Sequence, residues 1–206
     1  MYKNLINTIL ASLLALNVFA TDQTIINKLN FRPIAVSGNL PSAEVQQVYR
    51  DREGLMWLST RSGLCSYDGY QVKTYRSTVN YPNLFQSNNI WSVSEDKNFN
   101  LWIGTNSGLY TYNKRSGIMR RMNRSLSDPI SKVYVDKNND VWIGTNSGLI
   151  KYISQANTFL RFTNQNHRAL PSSYSVTSII QTSDESIIMG TWANGLFHIS
   201  SQNNTV

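Results

Sequence analysis

The sequence predicts an all-β fold made of about four β-propeller blades. A twelve-residue motif is the first observation: "LWIGTNSGLYTY" and "VWIGTNSGLIKY", which begin at Leu101 and Val141, share nine of twelve positions, and looser copies begin at Met56 and Ile187. The second is the spacing, because one core position of the motif recurs after 45, 40 and 46 residues, the length of a propeller blade. The third is the lack of any long stretch with the three-and-four apolar spacing of an amphipathic helix. That core position is held by Ser59, Gly104, Gly144 and Gly190.

Each repeat reads as four short strands. In the third copy the strand-like segments are "SKVYVD", "VWIGT", "LIKYI" and "TFLRFT", which are rich in β-branched and aromatic residues, and "DKNND" and "NSG" are the turns between them. The fourth copy stops after a third strand, "GLFHIS", because the tail "SQNNTV" is too polar and too short for a good fourth. The predicted repeats span residues 45–86, 87–129, 130–175 and 176–206.

Two residue types within the motif have structural explanations. A glycine follows a polar residue between the second and third strands, where a tight hairpin favours a positive φ. A tryptophan in the second strand is large enough to fill the space between neighbouring blades, so we predict core positions for it. These residues are Gly63, Gly108, Gly148 and Gly195, and Trp57, Trp102 and Trp142. Cys65 is the single cysteine and is predicted to be a buried apolar residue.

The start of the chain has a different composition. Residues 1–20 contain one lysine, an apolar run of about 15 residues and small residues at Val18 and Ala20, the pattern of a cleavable signal peptide. An uncut anchor helix is the alternative, but the run is shorter than the roughly 20 residues that span a bilayer. We therefore expect a periplasmic or otherwise exported chain without a membrane span in its mature part. Residues 21–44 form a lead that contains a strand-like segment at 31–36.

Charge and motifs narrow the classes of function. The formal charge is +7, or +6 without Lys3, and the densest basic patch, Arg120, Arg121 and Arg124, is predicted to be a solvated loop, so no nucleic-acid partner is expected. Neither His167 nor His198 has a carboxylate within five residues, and the nucleophile-elbow and zinc-protease motifs are missing. We predict no catalytic residue, no metal and no cofactor.

The loops "DKNFN" and "DKNND" place oxygen side chains at alternate positions, as the first half of a calcium loop does. They lack the glycine at position six and the glutamate at position twelve of such a loop. Hairpin turns in which Asp and Asn bind their own backbone are the simpler interpretation.

The segments Val45–Tyr70 and Ser87–Asn113 carry the pattern of a known family. With the "YDGY" segment at Tyr67–Tyr70, they resemble the two-component regulator propeller repeats, and the resemblance covers roughly residues 31–200. It implies the periplasmic, glycan-sensing part of a hybrid two-component sensor whose histidine kinase lies outside this chain. Such sensors carry their repeats as seven-bladed propellers, so four repeats predict an incomplete arc, with missing blades or a second copy as partners.

The predicted topology also places a binding surface. In a four-stranded up-and-down blade, the turn between strands two and three and the connection to the next blade emerge on one rim, and these connections vary in length here. Rings and amides on that rim suit a neutral or acidic sugar. The candidates are Arg61, Asn106, Asn146, Trp192 and Asn194 from the turns, with Tyr81, Asn88, Asn89 and Tyr174 from the connections. For Trp192 the alternative is packing at a blade edge.

Three functions remain open at this point. Ligand sensing, with an oligosaccharide or other small ligand, fits the resemblance best. A structural or protein–protein interaction module without a small-molecule ligand is the alternative. An enzyme with a propeller fold is the third, because one fold can carry many different functional sites.

Overall fold

The computed structural model describes residues 40–80, 84–122 and 126–201. Fifteen strands and no helix occur in these residues. The predicted signal peptide and the predicted strand at 31–36 lie outside the described residues.

The strands form four antiparallel sheets, each built from consecutive strands in chain order. This is a β-propeller architecture, and the all-β prediction is confirmed. The first three sheets have four strands, and the fourth has three within the described residues; the tail at 202–206, for which no fourth strand is predicted, lies outside them. Blade 1 contains β1 Val45–Arg50, β2 Met56–Thr60, β3 Gly63–Tyr67 and β4 Val72–Tyr75; blade 2 contains β5 Ile90–Glu95, β6 Asn100–Thr105, β7 Gly108–Asn113 and β8 Met119–Arg121; blade 3 contains β9 Ile130–Val135, β10 Val141–Thr145, β11 Gly148–Ile153 and β12 Thr158–Phe162; blade 4 contains β13 Val176–Gln181, β14 Ile187–Thr191 and β15 Leu196–Ile199.

The core lies between blades. The first strand of each blade packs on the first strand of the next one, and three apolar clusters fill the three spaces between consecutive blades. Each cluster contains one tryptophan of the repeat: Trp57, Trp102 and Trp142, all at most 4% exposed. The prediction that these residues belong to the core is confirmed. Cys65 is buried as well.

An aspartate holds each of these tryptophans. In blade 3, Asp136 Oδ1 accepts hydrogen bonds from the backbone N–H groups of Asn138 and Asp140, both at 2.9 Å, and Oδ2 accepts one from Trp142 Nε1 at 2.8 Å. The same arrangement joins Asp51 to Trp57 and Asp96 to Trp102. The loops "DKNFN" and "DKNND" are therefore hairpin turns capped by their first residue, as predicted.

Blade 4 lacks both partners of this pair. Thr182 takes the place of the aspartate at the turn, where its backbone N–H donates to Ser186 O, and Ile188 lies in the second strand where the other blades have tryptophan. The aspartate and the tryptophan thus occur together in three blades and are both replaced in the fourth, which fits the hydrogen bond between them.

The close approach of the next blade limits the size of the side chain at the core position of the motif. A Cβ atom on Gly104 would lie 2.7 Å from a methyl group of Ile130, and one on Gly144 would lie 2.6 Å from a methyl group of Val176. Ile130 and Val176 are the first residues of the inner strands β9 and β13. At Gly104 and Gly144 a larger side chain would therefore clash with the docked strand, whereas blade 1 accommodates the small, fully buried Ser59 at this position.

A buried ion cluster joins blades 1 and 2. Lys114 Nζ, whose side chain is 8% exposed, lies 2.7 Å from Asp51 Oδ2, 2.8 Å from Glu53 Oε2 and 2.7 Å from Glu95 Oε1. The side chains of Asp51 and Glu95 are fully buried, whereas that of Glu53 is half exposed. Burial lowers the pKa of the Lys114 ammonium, but its three carboxylate partners more than offset this and raise the pKa above its ordinary value.

The two end faces of the blade stack expose apolar residues. Val45 and Val48 on β1 are 40% and 60% exposed, although their counterparts in the other blades are buried against the preceding blade. On blade 4, Ile180 is 55% and Leu196 is 75% exposed. These residues lie on faces that neighbouring blades cover elsewhere in the stack.

Candidate functional site

The first strand of each blade, called here the inner strand, contains a β-bulge one residue after its start. In blade 1, Val45 pairs with Thr60 and Gln47 pairs with Ser59, so the intervening Gln46 has no partner on β2. The same shift occurs in all four inner strands, and a bulge of this kind changes the direction of the extra side chain. The extra residues are Gln46, Trp91, Ser131 and Thr177.

These four bulged residues line one cavity of about 410 Å³. It lies at the rim that carries the turns between second and third strands, because residues from those turns complete its wall. All four blades contribute to it, so the cavity lies at the axis around which the inner strands are arranged. We call it the axial cavity; its lining residues are Gln46, Gln47, Trp91, Asn106, Pro129, Ser131, Lys132, Asn146, Ser175, Val176, Thr177 and Trp192.

Three of the sequence-predicted candidates meet in the axial cavity: Asn106, Asn146 and Trp192. Trp192 is 83% exposed, so its ring is available to a ligand. Its backbone N–H donates to Ser175 O at 2.9 Å, which fixes the turn independently of the side chain. Asn146 Oδ1 is 3.3 Å from Ser175 Oγ, and the Asn106 side chain is exposed.

The other candidates lie elsewhere. Arg61 forms an exposed ion pair with Glu44. Asn88 binds the backbone of Ser77 through both its amide atoms, and Tyr174 is 4% exposed, with its hydroxyl donating to Phe162 O at 2.8 Å and accepting from Leu149 N at 3.2 Å. These side chains serve the scaffold. Two further candidates, Asn89 and Asn194, form turn hydrogen bonds through their backbone N–H groups, and Tyr81 lies outside the described residues.

Sequence reasoning missed the bulged residues and Lys132. The signal was present, because the apolar residues that face the preceding blade are three positions apart at the start of each inner strand, whereas an uninterrupted strand would place them two apart. The pairs are Val45 and Val48, Ile90 and Val93, Ile130 and Val133, and Val176 and Ile179. With this spacing taken into account, Trp91 would have been assigned to the rim.

Lys132 is the one charged residue among those that line the axial cavity. Burial lowers the pKa of its ammonium group. Within the described part of the chain, the side chain of Lys132 forms neither a hydrogen bond nor an ion pair. The cavity thus combines two indole rings, several amides and hydroxyls, and one unpaired cation.

A second cleft of about 540 Å³ lies between blades 2 and 3 at the opposite rim. Many of its polar groups are already engaged. Both oxygens of Asp96 accept hydrogen bonds from the protein, Asn113 Nδ2 donates to Asn100 Oδ1 at 2.8 Å, and Asn139 Oδ1 accepts from Lys97 N at 2.6 Å. Because the axial cavity offers more uncommitted groups, it is the better candidate.

Three segments of the chain match the sequence profile of the two component regulator propeller, at residues 39–62, 84–107 and 125–147. Each matched segment ends at the serine of the turn between strands two and three, so the matches share one structural register. These repeats belong to the two-component regulator propeller family. The resemblance inferred from the sequence is confirmed.

Solved extracellular domains of two component systems have a similar fold. The extracellular domain of the hybrid two component system BT4673 from B. thetaiotaomicron is 27% identical, with a TM-score of 0.65 over 78% of this chain and 20% of that one. The corresponding domain of BT3049 from the same organism is 25% identical, with a TM-score of 0.59 over 77% and 20%. This chain therefore spans about a fifth of the length of these extracellular domains.

Propellers outside the family share the fold alone. Virginiamycin B lyase from Staphylococcus aureus is 12% identical, with a TM-score of 0.58 over 80% of this chain and 58% of that one. None of the curated proteins compared matches the chain. In the described residues no helix is long and apolar enough to cross a membrane, and the relatives from B. thetaiotaomicron are extracellular domains, which is consistent with export.

Proposed function

We propose that this chain is the exported, non-catalytic propeller part of a hybrid two-component sensor and that it binds a glycan in the axial cavity. The observation that carries the proposal is the convergence of Trp91, Trp192, Asn106 and Asn146 on one cavity at the rim. Membership of the repeat family and the likeness to extracellular domains of two-component systems support a role in sensing. A signal peptide at residues 1–20 would direct the chain to the periplasm.

The chemistry of the cavity suits a sugar. A pyranose ring presents an apolar face that stacks on an indole ring, and its hydroxyls pair with amide donors and acceptors. The five tryptophans divide accordingly, with three in the blade cores and two, Trp91 and Trp192, at the axial cavity. A volume of about 410 Å³ lies within the range of small-ligand sites.

Trp192→Ala is expected to weaken glycan binding about tenfold or more, because an aromatic anchor at the centre of a contact usually contributes more than about 1 kcal/mol. The test begins with an array of oligosaccharides on the purified chain, followed by calorimetry of the glycans that bind. Since the indole is exposed and the turn is held by backbone contacts, the variant should keep its thermal stability.

Asn98→Ala is the matched control. Asn98 lies at the opposite rim, and its contact with the capping Asp96 is made by its backbone N–H, so its side chain can be removed without affecting the axial cavity. Equal losses of affinity in both variants would contradict the placement of the ligand. Turnover of an oligosaccharide by the purified chain would contradict the non-catalytic assignment.

Association with other blades is the second candidate function, and the exposed end faces favour it. Val48, Ile180 and Leu196 would be covered by further propeller blades or by a second copy of the chain. Ile180→Asp is expected to shift the chain from oligomers to monomers, measured by light scattering during size-exclusion chromatography. An unchanged mass, or a wild-type chain that is already monomeric at high concentration, would contradict this role.

A further inference from the structure

Lys132 differs chemically from the residues at the equivalent position of the neighbouring blades. In blade 1, Gln47 binds the backbone of blade 2, accepting from Val93 N at 2.8 Å and donating to Val93 O at 3.2 Å. In blade 2, Ser92 Oγ accepts from Val133 N at 3.0 Å in the same way. In blades 1 and 2 this position therefore hydrogen-bonds one blade to the next.

Lys132 cannot make the same contact. An ammonium group donates hydrogen bonds and has no acceptor, so it cannot receive the N–H of the next inner strand. Lys132 lies on β9 opposite Gly144 and lines the axial cavity instead. Blade 3 thus has a cation at this position, and the side-chain hydrogen bond to the inner strand of blade 4 comes instead from the neighbouring Ser131, whose Oγ donates to Val176 O at 2.5 Å.

The surroundings of Lys132 contain no compensating charge. None of the other residues that line the axial cavity is ionisable, and the lysine has no protein partner within the described residues. The bulged Thr177 places a hydroxyl group on the same wall, and Trp91 bounds the cavity, whereas the Ser131 hydroxyl is already bonded to backbone carbonyl groups. A partly buried cation that lacks a partner is stabilised when an anion binds beside it.

We propose that Lys132 binds an anionic oxygen group of the ligand, either a carboxylate or a sulfate, so that the glycan recognised in the axial cavity is acidic. This inference rests on the proposed function, because it names the ligand class of the same cavity. The rings and amides would bind the sugar itself, and Lys132 would distinguish charged sugars from neutral ones.

The test uses pairs of ligands that differ only in charge: oligogalacturonides with their methyl esters, and a sulfated galactan oligosaccharide with its desulfated form. An array of neutral and acidic oligosaccharides extends the comparison beyond these pairs. Lys132→Met is expected to lower the affinity for the charged member by about tenfold or more and to leave the affinity for the neutral member unchanged. The pair that shows this difference identifies carboxylate or sulfate as the group bound.

Two variants are the controls. Lys137→Met removes the same charge from an exposed turn at the opposite rim and should leave affinity unchanged. Lys132→Arg keeps the charge and should retain most of the binding. Because Lys132 has no structural partner, Lys132→Met should not lower the melting temperature, which separates a binding role from a structural one.

The outcomes separate the two proposals. If charged and neutral members bind equally, and Trp192→Ala weakens both while Lys132→Met weakens neither, the acidic ligand is excluded and the glycan site stands. If neither neutral nor acidic oligosaccharides on the array bind, both proposals are overturned.

Discussion

Lys114→Met is expected to destabilise the protein by about 3–5 kcal/mol, because removing one partner of a buried ion pair leaves the other charge buried and uncompensated. Asp51 and Glu95 would keep their carboxylates between blades 1 and 2 without the ammonium that now lies 2.7 Å from each. Methionine retains the length and apolar character of the lysine stem, so little packing is lost. Denaturant unfolding followed by circular dichroism measures the change.

Glu53→Gln is the control, since this carboxylate of the same cluster is half exposed and should contribute less than about 1 kcal/mol. If Lys114→Met lowers the free energy of unfolding no more than Glu53→Gln does, the buried ion pair is not important for stability.

The pH dependence provides a second check. Burial raises the pKa of Asp51, but hydrogen bonds from Lys114 and Trp57 outweigh it and hold the pKa below its ordinary value of 3.8. This contribution to stability is present above that value and is lost as the pH falls through the lower folded-state pKa. The raised pKa of Lys114 adds stability below its ordinary value of 10.5, which is lost as the pH rises through the folded-state value. The difference between wild type and Lys114→Met should therefore be largest near neutral pH and shrink in acid.

Asp136→Ala is expected to destabilise the protein by about 3–5 kcal/mol, because it leaves three donors without their acceptor at a turn and in the core of blade 3. Those donors are the backbone N–H groups of Asn138 and Asp140 and the Nε1 of Trp142. Near-ultraviolet circular dichroism should report the loss of the fixed indole environment together with the fall in stability.

Asp136→Asn separates the two roles of this aspartate, which caps the turn and accepts a hydrogen bond from the Trp142 indole. An amide can still accept both backbone hydrogen bonds with its oxygen, but it opposes the indole N–H with its own donor group. We expect the loss of unfolding free energy in this variant to be about half that in Asp136→Ala. Thr182→Ala at the equivalent turn of blade 4, where no tryptophan is held, should cost about 1 kcal/mol or less. Equal losses at the two turns would show that the tryptophan contact is unimportant.

The blade architecture could be predicted from the sequence because it repeats. A motif that recurs at blade spacing identifies strands, turns and core tryptophans together, and errors in one copy are corrected by the others. Trp57, Trp102 and Trp142 occupy the predicted core, and the glycines Gly63, Gly108, Gly148 and Gly195 all have the positive φ predicted for them.

The site was harder to predict because it depends on departures from strand periodicity. Topology was sufficient to assign Asn106, Asn146 and Trp192 to a common rim, but a rim also contains residues that serve the scaffold, such as Asn88 and Tyr174. Regular strand alternation does not identify Trp91 as a rim residue, because the bulge changes which side chains share a face. Lys132 was missed because its significance comes from the hydrogen bond that Gln47 and Ser92 make at the same position.

In each repeat, the apolar positions on either side of the bulge are constant in character, whereas the bulged position itself varies. The apolar pair around each bulge is Val or Ile in every blade, since it must dock on a neighbour, whereas the bulged residues are glutamine, tryptophan, serine and threonine. A substitution at a bulge changes what the rim presents to solvent and leaves the apolar docking pair unchanged, although at Ser131 it would also remove a hydrogen bond to Val176 O of the next blade. A propeller built this way can acquire a new specificity by single point mutations, without the loss of foldability that a change in its core would bring.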